Sequence, residues 1–92
     1  PAKYGIDANV KGSLIADGCI IEGQVEDSII FRGVRVEKGA KVCGCIVMQD
    51  TVIRAGATLK YAIADKNVTI TENRMLMGHS NYPLAISKFS IV

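Results

Sequence analysis

Aliphatic residues recur along this chain at intervals of 6, 6 and 5, each preceded two places earlier by a small residue. The aliphatic positions run Ile30, Val36, Val42, Val47, Ile53, Leu59, Ala64 and Ile70, and the small ones Ser28, Val34, Ala40, Cys45, Thr51, Ala57, Ala62 and Val68. A helix places apolar residues three or four apart, and one amphipathic strand alternates over a longer run. Neither describes this spacing. Three short strands per unit, with a corner after each, put one small and one aliphatic side chain inward on every side of a triangular coil. Gly18, Gly23, Gly33, Gly39, Gly44 and Gly56, with Asp50 and Asn67, suit the corners because these residue types tolerate positive φ.

A longer period frames the short one. Residues 28–44, 45–61 and 62–74 overlay at a spacing of 17, with Ile29, Ile46 and Ile63 in one column, Val36, Ile53 and Ile70 in another, and Gly39 over Gly56. A shortened copy, residues 13–27, precedes them and aligns if two residues are missing near Gly23. Such a repeat array predicts an all-β, single-stranded parallel β-helix of about four coils, with matching side chains piled into interior columns. A small sandwich of short strands competes with it, and periodicity leaves the hand of the coil open. Residues 75–92 are expected to fold back over the last coil as a cap, with Tyr82, Leu84, Ile86, Phe89, Ile91 and Val92 as its apolar payload. The whole chain is one domain.

Composition narrows the function. A net charge of +2 from eleven basic and nine acidic residues is too balanced for nucleic acid or an anionic membrane. No apolar run is long enough to span a bilayer, so a soluble chain without membrane partners is expected. Three cysteines without a secretory leader fit a reducing cytoplasm. Cys19 and Cys45 fall in the inward small column and Cys43 just after inward Val42, so no pair stacks; Cys43-x-Cys45 lacks the second pair a metal site needs. The single histidine, His79, lies after the repeats in a polar stretch. It would serve as the general base of an acyl transfer only with a partner, and none is visible. No phosphate loop, nucleophile elbow or paired carboxylates occur. No catalytic, cofactor-binding or metal-binding residue is assigned.

Outward positions carry the candidates that remain. Phe31 and Met48 share a column just after the inward aliphatic and form a candidate subunit contact. Arg32, Arg35, Arg54 and Lys66 are candidates to receive an anionic effector, since guanidinium pairs bidentately with phosphate. The open strand edges at the first coil, near Val10 and Ile15, need cover or recruit another chain.

The runs Ser13-Leu14-Ile15-Ala16-Asp17-Gly18-Cys19, Ser28-Ile29-Ile30-Phe31-Arg32-Gly33, Met48-Gln49-Asp50-Thr51-Val52-Ile53 and Ile63-Ala64-Asp65-Lys66-Asn67-Val68 resemble the carboxyl-terminal domain of bacterial ADP-glucose pyrophosphorylase, that is, glucose-1-phosphate adenylyltransferase. The ending Gly78-His79-Ser80-Asn81-Tyr82-Pro83 is similar too, although Phe89 stands where a glycine is expected. Around Tyr4-Gly5, residues 30–33 and residues 61–66 the wording is closer to the accessory, catalytically degenerate glycogen biosynthesis subunit. The resemblance implies a left-handed helix and an N-terminal catalytic domain, absent from this chain, that holds ATP, glucose 1-phosphate and Mg²⁺. It also implies assembly into a homo- or hetero-oligomer, a tetramer in the family, and an allosteric response. Opening on Pro1 rather than Met agrees with a fragment. A hexapeptide-repeat acyltransferase fragment and a purely structural module are the alternatives.

Overall fold

A computed structural model describes residues 1–92 and contains strands, turns and no helix. Fifteen short strands alternate around three walls. Wall A stacks β1 (Lys3–Tyr4), β4 (Ile20–Ile21), β7 (Arg35–Val36), β10 (Val52–Ile53) and β13 (Thr69–Ile70). Wall B stacks β2 (Asn9–Lys11), β5 (Gln24–Glu26), β8 (Lys41–Cys43), β11 (Thr58–Lys60) and β14 (Met75–Met77). Wall C stacks β3 (Leu14–Ile15), β6 (Ile29–Ile30), β9 (Ile46–Val47), β12 (Ala62–Ala64) and β15 (Leu84–Ile86). Every pairing is parallel, so the chain is a parallel β-helix, as its period predicts.

Register reproduces the sequence columns. Lys3 pairs with Ile20, Ile20 with Arg35, Arg35 with Val52 and Val52 with Thr69, advances of 17, 15, 17 and 17 residues. The short advance is the shortened copy. Its missing residues lie at the corner between β4 and β5, where Glu22-Gly23 takes the place of Glu37-Lys38-Gly39-Ala40 one coil on. Cutting that corner draws the backbone beneath the next coil. A Cβ on Gly23 would sit 2.8 Å from the Glu37 carbonyl oxygen and closer still to that of Ala40, so only glycine fits.

All sixteen positions named in the small and aliphatic series are buried, from Ser28 and Ile30 to Val68 and Ile70. Burying each large aliphatic among them stabilises the coil by roughly 1.5–3 kcal/mol. Polar members of the interior are satisfied by the coil above. Ser28 Oγ donates to the Glu26 carbonyl at 2.7 Å and accepts the Cys45 N–H at 3.1 Å; Thr51 Oγ1 donates to the Asp65 carbonyl at 2.8 Å and accepts the Val68 N–H at 3.3 Å. No buried side-chain polar atom is left without a partner.

Corners follow a stacking rule. Asp27, Tyr61 and Asn73, like the expected Asp50 and Asn67, hold positive φ. Four of them lie over a positive-φ glycine one coil below. A Cβ at Gly12, Gly33 or Gly56 would strike the side-chain oxygen of Asp27, Asp50 or Asn73, and one at Gly44 would come within 2.8 Å of the Tyr61 ring. At these four corners glycine keeps the space beneath the side chain empty, whereas Asn67 lies over Asp50 and Phe89 over Asn67, so left-handed residues with side chains also stack directly.

One expectation is corrected. Residues 75–92 do not fold back as a cap. Coils 13–27, 28–44 and 45–61 each contain three strands, but the third strand of the 62–74 coil is β14, inside the supposed cap. β15 then pairs in register with β12, Ile91 bridges Thr69, and Val92 exchanges hydrogen bonds with Thr69 and Thr71. The winding simply continues. Of the expected payload only Ile86 is buried, while Tyr82, Phe89 and Ile91 are exposed. Ile29, Ile46 and Ile63 stack as one column on the outside of wall C, beside the expected inward column Ile30, Val47 and Ala64.

Phe89 has φ 62°, so the position expected to carry glycine adopts the conformation glycine favours. Phe89→Gly should raise the urea unfolding free energy by about 1 kcal/mol by relieving the left-handed penalty. Gly23→Ala should lower it by about 2–3 kcal/mol through overpacking against the backbone above. A Gly23→Ala chain as stable as the parent would contradict the corner geometry.

Candidate functional site

The outer surfaces of the three walls differ. Wall B presents Asn9, Lys11, Gln24, Glu26, Lys41, Cys43, Thr58 and Lys60, and on its last strand Met75 and Met77, while wall A mixes Lys3, Arg35 and Thr69 with Ile20 and Val52. Wall C presents an unbroken apolar ladder of Leu14, Ile29, Ile46, Ile63 and Ala85, each the register partner of the next. Leu14 is 69% exposed and Ile29 42%. A strand places alternate residues on opposite faces, so the next outward column lies two residues on: Ala16, Phe31, Met48, Asp65 and Ser87.

Phe31 and Met48 therefore come together as expected, on consecutive coils, with the Phe31 N–H donating to Val47 and the Met48 N–H to Ala64. Phe31 is 41% exposed and Met48 half-buried. Sequence reasoning missed Leu14, Ile29 and Ile46, which complete the patch. The available signal was the paired aliphatics Leu14-Ile15, Ile29-Ile30 and Ile46-Val47, of which only one member each can face inward. Ala16 is the small member of its column and leaves a hollow beside Phe31. The resulting open groove, about 560 Å³, is lined by Leu14, Ala16, Ile29 and Phe31 together with Arg32 and Gln49.

The four cations divide. Arg32 and Lys66 occupy one corner column two coils apart, with Gln49 between them, by the 17-residue register of the coils around them. Arg35 projects from wall A. Arg54 lies at another corner, where its Nη1 is 3.5 Å from Glu37 Oε2, and Glu37 Oε1 also accepts the Ala55 N–H at 3.1 Å. His79 is exposed in a loop that Gly78–Pro83 inserts between β14 and β15, closed by reciprocal backbone hydrogen bonds between His79 and Tyr82 at 2.9 and 3.0 Å.

The three cysteines are free thiols. Cys45 continues the interior polar column: its Sγ lies 3.2 Å from the Cys43 carbonyl and 3.3 Å from that of Leu59, taking the place serine holds one coil below. Burial pushes the Cys45 thiol up from its ordinary value, against the smaller pull of the Ala62 N–H facing it. The neutral thiol is thus the form the fold requires.

The sequence matches the family described as GlmU-like, C-terminal hexapeptide over residues 2–82. It is 44% identical over 88 residues to the glycogen biosynthesis protein GlgD of Bacillus subtilis, covering 96% of this chain and 26% of that protein. Against the glucose-1-phosphate adenylyltransferase of Acetivibrio thermocellus it is 39% identical over 82 residues, covering 87% of this chain and 19% of that enzyme. For the enzyme of the same name from Corynebacterium jeikeium the identity is 38% over 77 residues, or 83% and 19% of the two chains. The chain spans about a quarter or less of the length of these relatives.

A raised thiol pKa has a defined linkage sign. The Cys45 contribution is fully present below the unfolded thiol's pKa, about 8.5, and is lost as pH rises through the folded value. Urea midpoints measured from pH 7 upward should fall in that window for the parent chain. The fall should be smaller in Cys45→Ser, whose hydroxyl keeps the column's hydrogen bonds and does not titrate.

Proposed function

The chain belongs to the GlmU-like, C-terminal hexapeptide family, and from that premise we propose that it serves as the regulatory and assembly domain of a glucose-1-phosphate adenylyltransferase-type protein of glycogen biosynthesis. The longer protein takes ATP, glucose 1-phosphate and Mg²⁺ in a nucleotidyltransferase domain that is no part of this chain, works in the cytoplasm and assembles as an oligomer. Within that family the accessory subunit is the better reading. The observation that supports it is the similarity to GlgD along nearly the whole of this chain.

The geometry fits such a role. The interior is filled with aliphatic, small and hydrogen-bonded polar groups. Function then rests on the outer surface. Wall C is the one wall with an outward column, Leu14 to Ala85, that is apolar from the first coil to the last, and a contiguous apolar surface of that kind marks a protein contact. Arg32 and Lys66, on the corner beside it, are placed to bind an anion at the edge of a contact, where binding would alter assembly.

Expressing the complete reading frame alone and together with a neighbouring paralogue, and assaying adenylyl transfer, tests the reading. Activity that rises only in the mixed preparation is the expected result; full activity of this polypeptide by itself would reject the accessory role. Phe31→Ser with Met48→Ser should leave the thermal midpoint nearly unchanged and weaken assembly of the longer protein by about tenfold or more. Unchanged assembly would remove wall C from the contact.

A further inference from the structure

We propose that the Asp17–Gly18 corner is a modification site, where the folded backbone isomerises without an enzyme from aspartate to isoaspartate and thereby loosens the first coil. This inference is independent of the assembly and regulation proposed above.

Isomerisation starts when the amide nitrogen of the following residue attacks the aspartate Cγ. The carboxyl hydroxyl leaves with the amide proton as water, and a five-membered succinimide ring closes. Water then adds at one of the two ring carbonyls. Addition at Cγ restores aspartate, whereas addition at the α-carbonyl leaves the chain running through Cβ and Cγ with the former α-carbonyl as a free carboxylate. One water leaves and one returns, so the step needs no co-reactant. The site must supply an accessible carboxyl, a free amide and little bulk on the residue that carries that amide.

Five aspartates occur in the chain, and the corners treat them differently. After Asp7, Asp27 and Asp65 the amide is already engaged. Ala8 N–H donates to the Gly5 carbonyl at 3.1 Å, Ser28 N–H to Ser13 Oγ at 3.1 Å, and Lys66 N–H to Oδ1 of Asp65 itself at 2.7 Å. Asp50 precedes Thr51, which is buried and β-branched. Asp17 alone precedes glycine, its side chain is 95% exposed, and its single ion-pair contact is the Pro1 amine at 4.0 Å. The Gly18 N–H finds no acceptor within residues 1–92, whereas those of Gly33, Gly44 and Gly56 donate to the coil below at 3.3, 3.0 and 3.2 Å. Nor does Gly18 carry a Cβ to shield its nitrogen.

The product alters the stack. The Asp17 carbonyl accepts the Gly33 N–H at 3.3 Å, which ties this corner to the next coil. Isoaspartate turns that carbonyl into a carboxylate and lengthens the connection from β3 to β4 by one backbone atom, although both strands are held in register to β6 and β7. The surplus length must be taken up at the corner, beside Ala16 and the hollow it leaves.

The test is to age the complete reading frame and the 92-residue chain for weeks at neutral pH, native and in guanidinium chloride, and to map isoaspartate by peptide mass spectrometry with isoaspartyl methyltransferase labelling. Within residues 1–92, most of the isoaspartate formed in the native state should lie at Asp17. An amide held in a hydrogen bond reacts only when that bond opens, so folding should slow Asp7, Asp27 and Asp65 by about tenfold or more and leave Asp17 close to its unfolded rate. The aged 92-residue chain should also show a lower urea midpoint than the fresh one. Asp17→Glu, which would need a six-membered ring that closes far more slowly, should age with neither change. Absence of isoaspartate at Asp17 in the native complete chain overturns the inference. So does folding that protects Asp17 as strongly as Asp65, or an unchanged midpoint in chains that carry isoaspartate at Asp17. Should Asp17→Glu not fold, the comparison of native and unfolded rates decides within the parent sequence.

Discussion

Each coil of this molecule hydrogen-bonds in register to the coil above and the coil below, and that single condition governs every other feature. Because strands stack directly, roughly 4.8 Å apart, a side chain finds its same-column neighbours fixed for it. Inside, this produces continuous aliphatic columns from Ile21 to Ile70 and from Val25 to Leu59. At the corners it produces exclusion. Tyr61, Asp27, Asp50 and Asn73 project over the coil below, and glycine underneath is the consequence. The conformational freedom of Gly12, Gly33, Gly44 and Gly56 is thus only half of why they are glycine. The other half is the side chain overhead.

Much of this was legible in the sequence because in-register stacking converts spacing into contact. The interior series needed no correction, and the missing residues at Gly23 were located from alignment alone. What the sequence left hidden has two physical causes. Periodicity identified the inward column, Ile30 included, but said nothing of what the outward column between its members would carry, and Ile29 there is as aliphatic as Ile30. The second cause is the Gly78–Pro83 insertion, which breaks the 17-residue rhythm just where β15 would have announced itself. Read by hydrophobicity, residues 75–92 resembled a lid. Read by register, Leu84 over Ala62 and Ile86 over Ala64 continue the coil.

The candidate site was half visible for the same reason. Phe31 and Met48 drew attention because an aromatic and a long thioether stood outside the hexad pattern. Leu14, Ile29 and Ile46 did not, since each sat beside a residue whose burial explained a run of two aliphatics. The cations divide by register: Arg32 and Lys66 share a corner column, whereas Arg35 projects from wall A and Arg54 is already engaged by Glu37.

The three walls offer an internal control on what wall C means. All three obey the same folding requirement, an inward aliphatic and small residue in every strand, and all three fulfil it with buried columns. Folding places no demand on the outward column. Wall B carries mostly Lys, Glu, Gln and Thr there, with Cys43 in the third coil and exposed Met75 and Met77 only on β14. An outward column that is apolar on consecutive coils of only one wall cannot be ascribed to strand propensity, which acts on all three alike. The exposed Leu14 and Ile29 lie beside the hollow over Ala16, between an unpaired Arg32 and an unpaired Asp27, so shape and charge vary together across the same few ångströms.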